Sequence, residues 1–144
     1  MNSNRSYTSD LVDFKVNVKI KLSALWVSVM LLYIYGDIFA LFVPGQIERL
    51  IKGNMGIGTT TPLKLFAASL LMTIPAIMVF LSLTLKPRIN RWMNIIFGAA
   101  YTIIIILTNL TSIDLWWTFD LFFGIVDIVI TSMIVLYAWK WPKQ

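Results

Sequence analysis

Four apolar blocks of about 20 residues decide what this chain can fold into, because each has the length of a membrane-crossing helix. They cover residues 22–43, 63–85, 92–110 and 115–139, and shorter polar segments separate them. A helix of about 20 apolar residues crosses the hydrocarbon core of a bilayer, which is about 30 Å thick. With 58% hydrophobic and 13% charged residues, the composition excludes a water-soluble domain. We therefore predict an all-α integral membrane four-helix bundle that forms a single transmembrane domain over residues 1–144.

Four spans place successive loops on alternate sides of the membrane, and basic residues are more numerous on one side than on the other. Basic loops of membrane proteins face the cytoplasm, so we predict that both termini are cytoplasmic. The expected location is a bacterial plasma membrane, with lipids as partners. The net charge of +5 comes from residues that flank the spans, which favours lipid headgroups over nucleic acid as the partner. The predicted cytoplasmic side carries Arg5, Lys15, Lys19, Lys21, Lys86, Arg88, Arg91, Lys140 and Lys143, and the predicted outer side carries Arg49, Lys52 and Lys64.

Two further patterns indicate contact with the membrane interface. Residues 46–52, between the first two spans, have the pattern of one or two turns of amphipathic helix. Tryptophans mostly lie near the ends of spans, where an indole ring suits the boundary between lipid and water. The predicted anchors are Trp26, Trp92, Trp116, Trp117, Trp139 and Trp141.

Histidine and cysteine are both missing from the sequence. Their absence removes thiolate nucleophiles, imidazole bases and the usual ligands of zinc and haem. We therefore expect no cofactor, no metal centre and no catalytic residues, which disfavours an enzyme without excluding one.

Three aspartates lie inside the predicted spans, where no lysine or arginine neutralises them: Asp37, Asp120 and Asp127. An aspartate near the bilayer centre costs about 2.5 to 3.5 kcal/mol on the insertion scale. Asp120, Gly124, Asp127 and Thr131 follow a 4-3-4 spacing, so they share one helix face, and Gly124 lets another backbone come close. The acids are therefore predicted to point into the protein rather than into lipid.

Polar or small residues form one stripe on each of the other spans, and we predict that all four stripes converge. Asp37 and Asp120 each lie about six residues from the outer end of a span, which places both about 9 Å below the outer surface. Asp127 is about 10 Å deeper. The expected result is a polar cavity open to the outside, with acids at its mouth and floor. The other stripes are Trp26, Met30, Tyr33, Asp37, Ala40 and Pro44; Ser69, Thr73 and Ala76; and Asn94, Gly98, Tyr101, Ile105 and Thr108.

Two interpretations of these acids remain open. Ionisable groups in hydrocarbon commonly mark ion paths, proton relays and ligand contacts. Alternatively, the acids are protonated or hydrogen-bonded and only fix the packing of the helices. The candidate residues for binding an ion or ligand are Asp37, Asp120, Asp127, Tyr33, Tyr101 and Thr131, and the candidate packing partners are the same tyrosines and threonine together with Thr73.

Three functions follow from these interpretations. The favoured function is a channel or transporter subunit for protons, cations or a small polar solute; because four helices enclose little space, we expect a homo-oligomer. The second is an intramembrane enzyme that acts on a lipid or other apolar substrate, with paired aspartates as general acid and base. The third is an accessory or structural membrane subunit whose acids serve packing.

One segment resembles a known group of proteins. The stretch Tyr33-Ile34-Tyr35-Gly36-Asp37-Ile38-Phe39, followed by Val43-Pro44-Gly45, is similar to a segment of small four-helix bacterial membrane proteins of unassigned function. These proteins resemble the broader DoxX-like group, some of which are thought to be subunits of membrane oxidoreductases. The resemblance implies a four-helix fold and no catalytic role, since the chain lacks residues that bind a redox centre.

Overall fold

Four long apolar helices and one short helix make up the structure, a computed structural model that describes residues 14–55, 58–111 and 115–142. Each long helix is long and apolar enough to cross a membrane. The predicted all-α four-helix membrane bundle is therefore confirmed, and its apolar surfaces contact lipid. The elements are α1 Val18–Ala40, α2 Gln46–Ile51, α3 Pro62–Thr84, α4 Pro87–Thr111, a 3-10 turn Leu115–Trp117 and α5 Thr118–Trp139.

The helix ends follow capping residues rather than the limits of the apolar blocks. The Asn17 side chain accepts a hydrogen bond of 2.9 Å from Lys19 N, so α1 begins at Val18 rather than at residue 22. Proline occupies the first position of α4, which begins at Pro87 rather than at residue 92. The helices therefore extend into polar turns that hydropathy alone does not include.

Helices α1 and α5 form the central pair of the bundle. Helix α3 packs on α1 and α4 packs on α5, whereas α3 and α4 touch each other little. The core lies between these four helices and is mostly aliphatic, with two aromatic side chains. Its members are Leu22, Trp26, Val29, Met78, Tyr101, Ile105, Ile134 and Ala138.

A buried hydrogen-bond network joins α1, α3 and α4 at the end of the bundle where α1 begins. Asn94 accepts from Trp26 Nε1 at 2.7 Å, and its own amide donates to Asn90 Oδ1 at 2.7 Å. Asn90 in turn donates to Ser82 O at 2.6 Å. Trp26 is 0% exposed, so the prediction that it anchors at the membrane interface is wrong: its indole N–H satisfies a buried amide.

Basic residues surround this same end, which we call the basic end. Lys19 Nζ donates to Leu83 O at 3.2 Å and to Leu85 O at 2.7 Å, which caps the carboxyl end of α3. Arg91 lies over the ring of Trp139, with 5.9 Å to the ring centroid. These contacts hold the side chains along the protein surface beside the helix ends.

Pro75 inside α3 leaves one backbone carbonyl without its helical donor. A proline has no N–H, so Leu71 O, four residues earlier, receives no hydrogen bond from position 75. The Tyr101 hydroxyl of α4 donates to Leu71 O instead. Tyr101 thus satisfies the carbonyl that Pro75 leaves without a donor, although α4 otherwise contacts α3 little.

The polar stripe predicted for the second span does not face the protein. Ser69, Thr73 and Ala76 are exposed on the surface of α3, which buries Pro75, Met78 and Ser82 instead. The reason is local bonding, because Ser69 donates to Phe66 O and Thr73 donates to Ser69 O, both at 2.7 Å. A hydroxyl that bonds within its own helix can face lipid at little cost. The prediction that all four stripes converge is therefore wrong for α3.

The short helix α2 confirms that the predicted segment is helical, and its amphipathic contact with the membrane interface stays a prediction. Gly45 precedes it with φ 75°, a left-handed conformation that glycine adopts without strain. Gln46 is buried, while Ile47 and Ile51 are exposed. The helix therefore presents apolar side chains on the outer surface of the bundle.

Candidate functional site

A cavity of about 180 Å³ lies between α1, α4 and α5, with one residue of α3 in its wall. It occupies the end of the bundle where α1 ends and α5 begins, opposite the basic end, and we call it the acidic cavity. Its wall combines carboxylates, aromatic rings and aliphatic side chains. The wall consists of Leu32, Tyr33, Gly36, Asp37, Ala40, Met72, Ile105, Thr108, Asn109, Trp117, Asp120, Phe123, Gly124 and Asp127.

All three predicted intramembrane acids contribute to this wall. Asp37, one turn before the end of α1, is exposed, and Asp120, in the first turn of α5, is half-buried. These two carboxyls lie close enough to interact electrostatically. Asp127 is two turns further along α5 and is only 2% exposed. The structure therefore places two acids at the mouth of the cavity and one at its floor.

The Asp127 carboxyl is buried without a hydrogen-bond partner. Neither Oδ1 nor Oδ2 forms a hydrogen bond within the described part of the chain. The Tyr33 hydroxyl is the side-chain group that faces this carboxyl, but it does not reach hydrogen-bonding geometry. An unpartnered carboxyl costs free energy in an apolar interior, so this arrangement calls for an explanation.

Two of the predicted site residues lie behind the wall rather than in it. Thr131 is buried, donates to the backbone Asp127 O at 2.8 Å and accepts from Thr102 Oγ1 at 2.8 Å. Tyr101 is also buried, and its ring stacks on Tyr33 with 6.5 Å between centroids. Both residues support cavity residues from behind.

An aromatic cluster at the mouth of the cavity was not predicted as part of the site. Phe123 and Trp117 line the wall, although Trp117 was assigned to the membrane interface. Phe39 of α1 contacts Phe119 and Phe123 with 5.8 and 5.9 Å between centroids, and Trp117 stacks on Phe119 at 5.9 Å. The sequence did carry a signal, since Phe119 and Phe123 have the same four-residue spacing as Asp120 and Gly124 and thus adjoin the acidic face.

Asn109 is a second wall residue that the sequence interpretation missed. The third predicted span ended at residue 110, and Asn109 was not assigned to its polar stripe. Helix α4 ends at Thr111 and carries Asn109 on the cavity wall. The Asn109 amide lies against Gly124, where an added Cβ would be 2.7 Å from Asn109 Cγ. Asn109 Nδ2 is buried and has no hydrogen-bond partner within the described ranges. Gly124 therefore makes room for a side-chain amide, whereas the sequence predicted that another backbone would come close there.

The electrostatic character of the cavity is uniformly acidic. The wall contains three carboxyls and, among the described residues, no lysine or arginine. Carboxylates in a cleft with apolar walls concentrate the electric field and attract cations. Over the described ranges, however, no three acids cluster closely enough to hold a metal ion.

Comparison with known protein families gives one match. A family model described as a family of unknown function (DUF6326) matches residues 10–144. The chain belongs to this family. Nothing in the match links this DUF6326 protein to the DoxX-like group, so that resemblance is not supported. Neither a curated protein nor a solved structure matches the DUF6326 chain.

Proposed function

We propose that this DUF6326 protein binds a proton or a small cation at Asp127 and acts as a channel or transporter subunit for it. The observation that carries the proposal is a buried, unpartnered carboxyl at the floor of a cavity whose mouth holds two more acids. Intramembrane carboxyls in such positions commonly serve ion paths and proton relays.

The hydrogen bonds of the neighbouring residues argue against a packing role for Asp127. A carboxyl that fixes helix packing is expected to bond to the hydroxyls around it. Instead Tyr101 donates to Leu71 O, Thr73 donates to Ser69 O, and Thr131 donates to the backbone Asp127 O. The remaining hydroxyl, that of Tyr33, faces the carboxyl from α1 outside hydrogen-bonding geometry. The burial cost of the carboxyl is therefore consistent with a site kept for an exchangeable ligand.

The proposed direction of access follows from the distribution of charge. The basic end of the bundle carries most of the lysines and arginines, so we place it and both termini in the cytoplasm. The mouth of the cavity, with Asp37 and Asp120, then faces outward in a plasma membrane. A cation entering from outside meets these two acids before it reaches Asp127.

The proposed assembly is a homo-oligomer of single-domain subunits. The wall of the cavity comes from one chain, so each subunit carries its own binding site. A continuous path through the membrane needs more space than four helices enclose, which is the reason for proposing several subunits.

Transport by purified protein in liposomes tests the proposal. A trapped pH-sensitive dye reports proton movement, and a voltage-sensitive dye reports charge movement when a gradient of sodium, potassium or methylammonium is imposed. We expect flux above that of empty liposomes and at least a tenfold loss in Asp127→Asn, because an amide neither releases a proton nor carries a charge. Glu48→Gln, which neutralises an exposed acid on α2 outside the cavity, is the matched control and should keep full flux.

Two results would contradict the proposal. The first is a flux in Asp127→Asn equal to that of the wild type. The second is wild-type protein, folded and inserted, that moves none of the four cations.

A further inference from the structure

We infer that the ligand of the acidic cavity is a small organic ammonium ion, whose charged nitrogen lies at Asp127 near the rings of Tyr33 and Phe123 and whose apolar part extends along the aliphatic part of the wall. This inference rests on the proposed cation site and specifies its ligand class. It is carried by the size of the cavity, the pairing of acids with aromatic rings, and the spacing of the carboxyls.

The size of the cavity suits a ligand of a few heavy atoms. Its volume is about 180 Å³. An apolar protein cavity of about 150 Å³ accepts benzene, which has six carbons. The space therefore accommodates an ammonium group with four to six carbons, and it is larger than a bare monatomic ion needs.

Aromatic rings and carboxylates occur together in the wall, and both attract cations. The face of an aromatic ring carries negative charge and stabilises an ammonium group within about 6 Å. Tyr33, Trp117 and Phe123 bring three rings into a wall that also contains the acids. Leu32, Met72 and Ile105 give the same wall aliphatic surface, which favours a ligand with a hydrocarbon part.

The spacing of the acids disfavours an inorganic ion. Sodium and calcium ions exchange their water for several converging oxygen ligands. Asp120 and Asp127 are two turns apart on α5, a rise of about 10 Å, so their carboxyls do not converge on one small ion. An ammonium ion needs only one carboxylate beside aromatic side chains, and the floor of the cavity places Asp127 beside Tyr33.

Two of the rings are held in place before any ligand arrives. Tyr33 stacks on Tyr101, whose hydroxyl is fixed on Leu71 O. Phe123 contacts both Phe39 and Phe119. Rings that are already oriented lose little conformational freedom on binding, which increases affinity.

Isothermal titration calorimetry on the full chain in lipid nanodiscs tests the ligand class. The probes are n-butylammonium, the neutral alcohol n-butanol of the same chain length, and sodium chloride. We expect n-butylammonium to bind at least tenfold more tightly than n-butanol or sodium. Asp127→Asn should weaken n-butylammonium binding at least tenfold.

A neighbouring pair of phenylalanines supplies the matched test of the rings. Phe123→Leu keeps apolar volume in the wall but removes a ring face, so we expect n-butylammonium binding to weaken about three- to tenfold. Phe122→Leu changes an exposed ring outside the wall and should bind like the wild type.

The outcomes separate this inference from the proposed function. Sodium binding or proton flux that depends on Asp127, without n-butylammonium binding, overturns the ligand class and leaves the cation site standing. Equal binding of n-butylammonium to wild type and Asp127→Asn also overturns it, because the probe then partitions without using the acid. Absence of binding by every cation, together with absence of flux, overturns both.

Discussion

Asp127 is the residue whose substitution is expected to abolish function without lowering the stability of the fold. Its carboxyl oxygens are buried and unpartnered, so the charged or protonated group contributes no hydrogen bond to the folded state. Groups kept at such a cost are common in binding sites, where a ligand supplies the missing partner. A structural acid would have the opposite property, because its removal would leave its partners unsatisfied.

Thermal unfolding of Asp127→Asn distinguishes these two roles. We expect the midpoint in detergent to equal or exceed that of the wild type, because no native hydrogen bond of the side chain is lost. Asn94→Leu is the reference for a structural polar residue: it leaves Trp26 Nε1 and Asn90 Oδ1 unpaired and should cost about 2 to 4 kcal/mol. A loss of stability in Asp127→Asn as large as that in Asn94→Leu would support the packing interpretation instead.

At the scale of single residues, the sequence predicted the positions of the acids better than the positions of the residues around them. Asp120 and Asp127 were placed on one inward face of the fourth span, and Asp37 on the stripe of the first, because their cost in lipid and their helical spacing are both visible in the sequence. Trp26 and Asn109 were misjudged because a buried indole or amide depends on which residue of another helix lies opposite. Spacing along one helix does not contain that information.

Between elements, hydrogen bonds and close backbone approaches set how the helices fit together. Helices α3 and α4 touch little, yet Tyr101 bonds to the α3 carbonyl that Pro75 leaves open. Gly98 allows α4 to lie against α5. Each of these contacts predicts a distinct response to substitution.

A double-mutant cycle tests the link between Tyr101 and Pro75. Tyr101→Phe leaves Leu71 O without a donor and should cost about 1 to 3 kcal/mol. In a Pro75→Ala background, the restored backbone N–H bonds to Leu71 O, so the same substitution should cost at least about 0.5 kcal/mol less. Additive unfolding free energies would show that the tyrosine does not replace the missing helical donor.

Two glycines test the close approach of α4 and α5. A Cβ at Gly98 would lie 2.9 Å from Val135 Cγ2 and 3.4 Å from Thr131 O, so Gly98→Ala should destabilise by about 1 to 3 kcal/mol. A Cβ at Gly36 would meet only Phe123 Cδ2 at 3.9 Å, and Gly36→Ala should be neutral or stabilising because alanine favours helix. Equal unfolding midpoints for the two variants would contradict this packing.

The sequence predicted the elements well but their contacts only in part. Length and hydropathy identified four spans, and caps at Asn17 and Pro87 moved their limits by a few residues. The prediction that the α3 stripe faces inward was wrong because the Ser69 and Thr73 hydroxyls bond to carbonyls of their own helix. The spacing of residues in a sequence does not distinguish such a hydroxyl from one that faces the protein interior. The aromatic cluster was not predicted because, in the sequence, an apolar ring that faces the cavity looks the same as one that faces lipid.

For the whole molecule, the two ends of the bundle have opposite character. One end carries the asparagine network and most of the basic side chains, and the other carries the acidic cavity. The positive-inside rule predicts that the basic end is cytoplasmic. The proposed entry of a cation from outside depends on this orientation.

Labelling of introduced cysteines tests the orientation cleanly, because the native chain contains no cysteine. Thr59→Cys lies in the exposed segment before α3, and Ile89→Cys lies in the first turn of α4. We expect a membrane-impermeant maleimide to label Thr59→Cys in intact bacterial cells and Ile89→Cys only after permeabilisation. The reverse pattern would place the cavity on the cytoplasmic side.

The most direct test of a cation site at Asp127 is its reaction with a hydrophobic carbodiimide, with the modified residue located by mass spectrometry. Tetramethylammonium is the competitor, since it carries a positive charge and has no N–H group that reacts with an activated carboxyl. We predict that Asp127 is modified and that saturating tetramethylammonium slows this modification at least fivefold, while modification of Glu48 does not change. Modification of Asp127 at the same rate with and without the cation would contradict the account.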